Sequence, residues 1–292
     1  MIQKSASRKA FIVFNTLFFS LICFICFYPI WYVLIQSLSD NRLAVRAIVY
    51  PLGFTFRNYI ELLSMDDIFH ACLISVLRTV IGTAATVAIT MTLGYAFSKE
   101  EMPFRRLMYR LLIVTMYVSG GLIPTYLVYK AYGLVNNFWV YIVPGMINAY
   151  YIILVKTYVE QLPASVEESA MIDGAGTMTL MTRIIFPMAI PIAATIAVFT
   201  SVAQWNAWFD NQIYTVSAKQ LTTLQFLLYN YLNQAEQMMQ ELRKNSGDMG
   251  SLLTPRGIKM TITMITVVPI LCVYPFMQRY IVKGITIGAV KG

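Results

Sequence analysis

Between Phe11 and Ile35 the chain carries no charged side chain. A helix needs about 20 apolar residues to cross the hydrocarbon core of a bilayer. Five further apolar stretches follow, at about 71–97, 107–130, 138–159, 187–209 and 258–281. In lipid each backbone N–H and C=O must find a partner inside the protein, so such stretches cross as helices. The pattern predicts an all-α, polytopic integral membrane protein with six transmembrane helices. Composition agrees: 58% of the residues are hydrophobic and 12% charged, about half the ~25% usual for soluble domains. A soluble fold would lack the charge to cover so much apolar surface. A soluble enzyme domain, a disordered chain and collagen are thereby excluded.

Orientation comes from the basic residues. Lys4, Arg8 and Lys9 precede the first apolar run with no acid among them. That run is longer than a signal-peptide core and no small-x-small cleavage site follows it, so it reads as a retained span. Residues 1–10 are then a cytoplasmic N-terminus and 11–36 the first transmembrane helix. Residues 37–70 are an extracellular segment, with a short surface helix from Asn58 to Ile68. The remaining core, 71–281, contains a cytoplasmic loop at 163–186 and an extracellular loop at 210–257. Residues 282–292 form a cytoplasmic tail. This topology puts twelve Lys and Arg inside and eight outside, the bias that cytoplasmic loops show. The net charge of +8 is thus an orientation signal and implies no nucleic acid. Cys23, Cys26, Cys72 and Cys272 all sit in or beside apolar runs, where they act as small apolar residues.

Details inside the spans add to this. Gly82, Thr86, Thr90 and Gly94 recur at every fourth position, a thin ridge that permits close helix packing in lipid. Arg78 lies near the outer end of the second span and is expected to snorkel toward the interface. Gly120-Gly121 and Pro124 should interrupt the third span, and Pro144-Gly145 with Asn148 fall inside the fourth.

The most polar internal stretch runs from 160 to 186. Ser165-x-x-Glu168 has the spacing of a capping box, which predicts a helix start, with Glu167 and Glu168 in its first turn where the dipole favours acids. Ser169 and Ala170 are small. Asp173-Gly174 predicts a stop, because glycine adopts the left-handed conformation that ends helices. Thr177 is a candidate N-cap for a second helix, and Pro187 and Pro191 mark the return to the membrane.

The order Glu168-Ser169-Ala170, Asp173-Gly174-Ala175, Ile184, Pro187, Pro191 resembles the EAA loop of bacterial ABC importer permeases. Ser169 departs from the usual alanine, and Met181 stands where many relatives carry an aromatic. Gly120 to Pro124, Trp205-Asn206-Ala207-Trp208 and the glycine-rich ending from Val282 extend the likeness to nearly the whole chain. They are similar to the carbohydrate branch: the smaller permease subunit of maltose-type transporters, and the Gram-positive permeases for complex or pectin-derived oligosaccharides. The resemblance implies a type I ABC importer permease fold in the cytoplasmic membrane of a bacterium, with both termini inside. It implies that Glu167, Glu168, Ser169, Ala170, Asp173, Gly174 and Ala175 dock on a separate, dimeric ATP-binding subunit. That subunit, rather than this chain, would hold ATP and Mg. The tail residues Lys283, Gly284 and Lys291 would also reach it. A second homologous permease, an extracellular substrate-binding lipoprotein, membrane lipid and a carbohydrate complete the implied partners.

The chain lacks the chemistry of an enzyme. It has no phosphate-binding loop, one histidine, His70, without clustered metal ligands, and no histidine placed to activate a nucleophile within a span. No catalytic or metal residue is expected. Sugar pathways use aromatic faces together with amides and hydroxyls, which makes Tyr117, Asn148, Tyr151, Gln204, Trp205 and Asn206 candidates; Trp and Tyr also gather at membrane interfaces. Two other readings stay open at this stage. One is an ABC permease for a non-sugar solute. The other is an ion-coupled secondary transporter, which should show inverted repeats and intramembrane ionisable pairs; no such repeat is evident, and Arg78 has no acidic partner within the spans.

Overall fold

The computed structural model describes residues 6–41, 43–64, 66–233 and 255–289. Among them every regular element is helical. The chain divides into two compact units, Met1–Asp66 with Asn230–Val268, and Asp67–Tyr229 with Pro269–Gly292.

In the first unit α1 (Ala6–Ser37) begins five residues before the expected span. Its phenylalanine-rich face is exposed along most of its length, as befits a helix facing lipid. Its end is buried and polar. There Gln36 donates to the Ala47 carbonyl (2.6 Å) and Asn58 donates to the Ser37 carbonyl (3.2 Å). The Asn58 amide satisfies one of the carbonyls that the last turn of α1 leaves without a helical partner. Asn58 belongs to α2 (Arg57–Leu63), which is shorter than the expected surface helix, ending before Ser64. Tyr59 of α2 shares a 2.7 Å hydrogen bond with Ser37; burial first, against that bond, raises its phenol above the usual range.

The second unit is built around α3 (Asp66–Ser98), which starts earlier than residue 71. Gly82, Thr86, Thr90 and Gly94 are all buried along one stripe. A Cβ on Gly94 would lie 2.4 Å from Val155 Cγ1, so the fourth-position spacing does permit close approach of two helices. Val155 belongs to α6 (Ala149–Val159), and Asn148 caps it by accepting from the Tyr151 N–H at 3.2 Å. Met91, Tyr95, Val155, Val159, Ile185, Ala189, Ile192 and Ile196 make one core cluster.

The third apolar stretch is two short helices, α4 (Arg105–Tyr117) and α5 (Leu122–Ala131). The break falls at Gly120-Gly121, where Gly121 takes φ +81°. Pro124 does not break α5; it sits in the first turn, where backbone N–H groups have no helical partner anyway. Three helices are each long and apolar enough to cross a membrane: Ser7–Ser37, Asp66–Ser98 and Arg256–Pro275. Two bent pairs bring the number up to five: Phe138–Gly145 with Ala149–Val159, bent by 46°, and Thr177–Met188 with Ile190–Asn206, bent by 76°.

The segment after α6 holds α7 (Ala164–Ile172), then α8 (Thr177–Met188), which is π-helical from Leu180 to Ile185, then α9 (Ile190–Asn206). The straight fifth helix therefore starts at Ile190 rather than Pro187. A wide turn before Pro187 relieves the crowding that a proline imposes on the carbonyl four residues earlier. After α10 (Phe209–Tyr214) and α11 (224–233), α12 (Pro255–Ala289) closes the described chain. Its backbone stays helical through Lys283 and Gly284, so the expected tail is a helical extension as far as Ala289. Lys291 lies outside the described residues.

Candidate functional site

Two regions of the second unit carry the polar chemistry. The first is α7 and its surroundings. Neither expected cap forms. Pro163 occupies the N-cap position of α7, Ser165 is inside the helix, and no side chain caps it. Proline fixes its own φ near the value a helix entry needs, so the helix starts ahead of the capping box. Glu167 alone is the first-turn acid. The same displacement places Gly176, rather than Thr177, at the N-cap of α8. The stop is as expected. Gly174 has φ +83°. Ala175 N–H donates to Ala170 O (2.9 Å) and Gly174 N–H to Met171 O (3.0 Å), the paired bonds of a Schellman motif.

The motif residues do not share one environment. Glu168, Ser169, Asp173 and Gly174 are exposed, whereas Ala170 and Ala175 are half-buried. Met171 (53%), Ile172 (86%) and Met178 (68%) add apolar exposure beside them. Together they present small, acidic and apolar groups on one short helix and its turn. Glu167 differs: its carboxylate pairs with Lys99.

The second region is a cavity of about 350 Å³. Asn148, Tyr151 and Gln204 line it, as do Tyr129, Tyr141, Tyr214, Thr200, Arg78 and Asp210. Tyr117, Trp205 and Asn206 do not. Tyr117 is 83% exposed at the end of α4, Asn206 is exposed and Trp205 half-buried at the end of α9.

Arg78 corrects the snorkelling expectation. It is 2% exposed and every guanidinium nitrogen is engaged. Nε and one terminal nitrogen donate to Gln204 Oε1 (3.1 and 3.0 Å). The two terminal nitrogens grip Asp210 in a fork, at 3.2 and 2.5 Å, and one also donates to the Ala207 carbonyl at 3.3 Å. The Tyr141 ring lies 4.4 Å below. Such two-point pairing is the geometry that makes a buried arginine tolerable. Gln204 also donates to the Tyr141 carbonyl (3.2 Å), and it needs Gly82 opposite, since a Cβ there would sit 2.8 Å from its amide nitrogen. The two charges at the cavity cancel. Burial first, and the Asp210 charge second, hold the Tyr214 phenol above its usual range. No group of His, Cys, Asp or Glu able to hold a metal occurs among the described residues.

Long apolar helices, an exposed short helix whose sequence resembles the EAA loop, and a polar, tyrosine-rich cavity are the parts of a transport subunit. Comparison with known proteins narrows the class. No family model matches the chain. It is 35% identical to the protein LplC of Bacillus subtilis, across 99% of this chain and 98% of that one. It is 33% identical to the polygalacturonan/rhamnogalacturonan transport system permease protein YtcP of the same organism, across 94% and 96%. In fold it resembles the crystal structure of a bacterial ABC transporter involved in the import of the acidic polysaccharide alginate, with a TM-score of 0.85 at 24% identity, covering 96% of this chain and 99% of that one. The chain belongs to the ABC transport-system permease family. Ion-coupled secondary transport is thereby set aside, even though Arg78 does have an acidic partner, supplied from just beyond the end of α9.

Proposed function

We propose that this chain is one of two permease subunits of a bacterial importer that moves a carbohydrate, specifically an oligosaccharide, across the cytoplasmic membrane. The observation that carries the reading is its end-to-end similarity to a polygalacturonan/rhamnogalacturonan permease. A pocket of tyrosine rings, amides and hydroxyls supports it, because sugars offer apolar ring faces edged with hydroxyl groups. The cavity is the candidate pathway, with Asn148, Tyr151 and Gln204 in it.

In this reading α7 is the docking helix for a separate ATPase dimer that holds ATP and Mg, and an extracellular binding lipoprotein delivers the sugar from the other side. Glu168, Ser169, Ala170, Asp173, Gly174 and Ala175 form the docking face, and Lys283, Gly284 and Lys291 extend toward the same partner. ATP closes the ATPase dimer, the docking helices move together, and the spans rock between inward- and outward-facing states. Six spans put both termini in the cytoplasm. Support for the sixth comes from the ends of the α4–α5 pair. Arg105 bonds to Phe97 O (2.7 Å) at the foot of α3, while Asn136 bonds to Tyr214 O (2.7 Å) near the cavity.

Glu168→Lys tests the docking face. The assembled complex purified in detergent should lose most of its ATPase subunit while α-helical content stays unchanged. Retention of normal ATPase stoichiometry and uptake by that variant would overturn the docking assignment.

A further inference from the structure

The stretch 99–105 and the stretch 160–167 are joined at two points. Lys99 pairs with Glu167. Arg105, at the first residue of α4, pairs with Glu160 at 2.7 Å. The bases are six residues apart in sequence and the acids seven, and the two pairs share no residue. Each base is also fixed on its own side. Lys99 lies 4.8 Å over the Tyr95 ring in the last turns of α3, and Arg105 donates through Nε to the Phe97 carbonyl at 2.7 Å. Glu160 is held a second time by Lys156 at 2.8 Å.

Glu167 lies on α7 itself, whereas Glu160 caps the end of α6, four residues before α7 begins. One pair alone would leave α7 free to rotate; a pair on each side of the 161–163 turn fixes both the point from which α7 springs and a point on α7. By contrast α7 buries none of its own residues, so packing alone gives it little purchase on the core. The foot of α3 is thus the place where α7 is aimed. From Ser98 back to Arg78 the same helix runs unbroken, about 30 Å at the α-helical rise. Its upper part carries Arg78 and Gly82, which shape the cavity wall. A rigid element with one end tied to each region is a physical path for coupling.

We propose that Lys99–Glu167, on α7, and Arg105–Glu160, on the end of α6 that leads into it, form a two-point strut that orients α7 on the foot of α3, making these four positioning residues for coupling. The proposal rests on the reading that the ATPase docks on α7. It also reassigns Glu167: its carboxylate faces the chain's own lysine, so Glu167 aims the docking helix while the exposed Glu168 meets the partner. Lys99, Arg105 and Glu167 are half-buried and Glu160 is exposed; ion pairs this close to solvent contribute little to stability, so the strut acts on geometry.

The test uses the assembled importer, with its second permease, ATPase and binding protein, in proteoliposomes. Ala203 is exposed and lines the cavity. Ala203→Cys therefore reports cavity access through labelling by a membrane-impermeant maleimide, above the background of the chain without the added cysteine. In this parent, ATP should change the labelling rate. Lys99→Glu and Glu167→Lys should each weaken that ATP response by about 2- to 10-fold, toward the lower end of the couplings between residues in contact, with the ATPase still bound. The double charge swap should restore it. A full ATP response in either single variant overturns the strut, and so does failure of the swap to restore a lost response. A parent that carries no ATPase, or that shows no response to ATP, overturns the docking reading itself.

Discussion

Arg78 is the residue whose surroundings say most about the permease interior. Its guanidinium is buried against Gln204 and Asp210, and Gly82 leaves room for the glutamine that holds it. Removing one partner of a buried pair leaves the other uncompensated, at about 3–5 kcal/mol, whereas replacing both with apolar residues is often neutral. Asp210 keeps 24% of its side chain exposed, so the loss should fall toward the lower end. Asp210→Asn is expected to lower the thermal midpoint of the detergent-purified complex clearly, and Arg78→Leu with Asp210→Leu to recover most of it. Equal midpoints for Asp210→Asn and the parent would show that the pair does not hold the cavity wall. None of this arrangement was legible along the chain. Arg78 and Asp210 are 132 positions apart, and the acid falls in what reads as an outer loop. Gln204, by contrast, was legible as a polar side chain among apolar neighbours. Trp205 and Asn206 looked equally suitable, but helix geometry turns adjacent positions about 100° apart, and only Gln204 lines the cavity.

At the scale of elements, local rules worked where one conformation was forced and failed where several signals overlapped. The glycine at 174 needs φ +83°, and α7 does stop there. The capping box at Ser165 was a valid local pattern, but Pro163 begins the helix before it. The ridge from Gly82 to Gly94 was legible because a fourth-position repeat has one helical meaning. The π-helical turn from Leu180 to Ile185 leaves no such mark, since its residues suit a regular helix equally well. The Schellman turn carries a prediction of its own. An alanine held in the left-handed region costs about 1–2 kcal/mol. A proline is worse, because its ring fixes φ near −65° and it cannot donate to the Met171 carbonyl. Gly174→Pro should therefore redirect α8 and reduce ATPase retention far more than Gly174→Ala, with far-ultraviolet circular dichroism unchanged in both. If Gly174→Pro retained the ATPase as well as Gly174→Ala does, the turn geometry would be irrelevant to docking.

For the molecule as a membrane protein, the open matter is how the chain crosses. Apolar run length marks six stretches, yet among the described residues three helices are individually long enough, and the bent pairs raise the number to five. The shortfall is the α4–α5 pair, where Gly120-Gly121 divides one apolar stretch into helices of 13 and 10 residues. Broken backbone at membrane depth is tolerated when protein or a water-filled cavity surrounds it, and α5 contributes Tyr129 to the cavity. Within this unit the polar contacts separate into two sets. Lys99, Arg105, Glu160 and Glu167 make one. The other links Asn136 to Tyr214 and Ser217, and His70 to Gln220. The sets sit at opposite ends of α3, since Lys99 follows its last residue and His70 lies in its first turns. The chain leaves one set at Arg105 and reaches the other at Asn136, so α4 and α5 together join the two sets, the path that the proposed sixth crossing requires. Cysteine labelling in intact cells tests the consequence directly. A cysteine at Gly133, in the exposed turn after α5, should react with an impermeant maleimide from outside. One at Glu101 should react only after the membrane is permeabilised. Labelling of both from the same side would mean that the α4–α5 pair dips into the membrane and returns, which would leave five crossings and place the two termini on opposite faces.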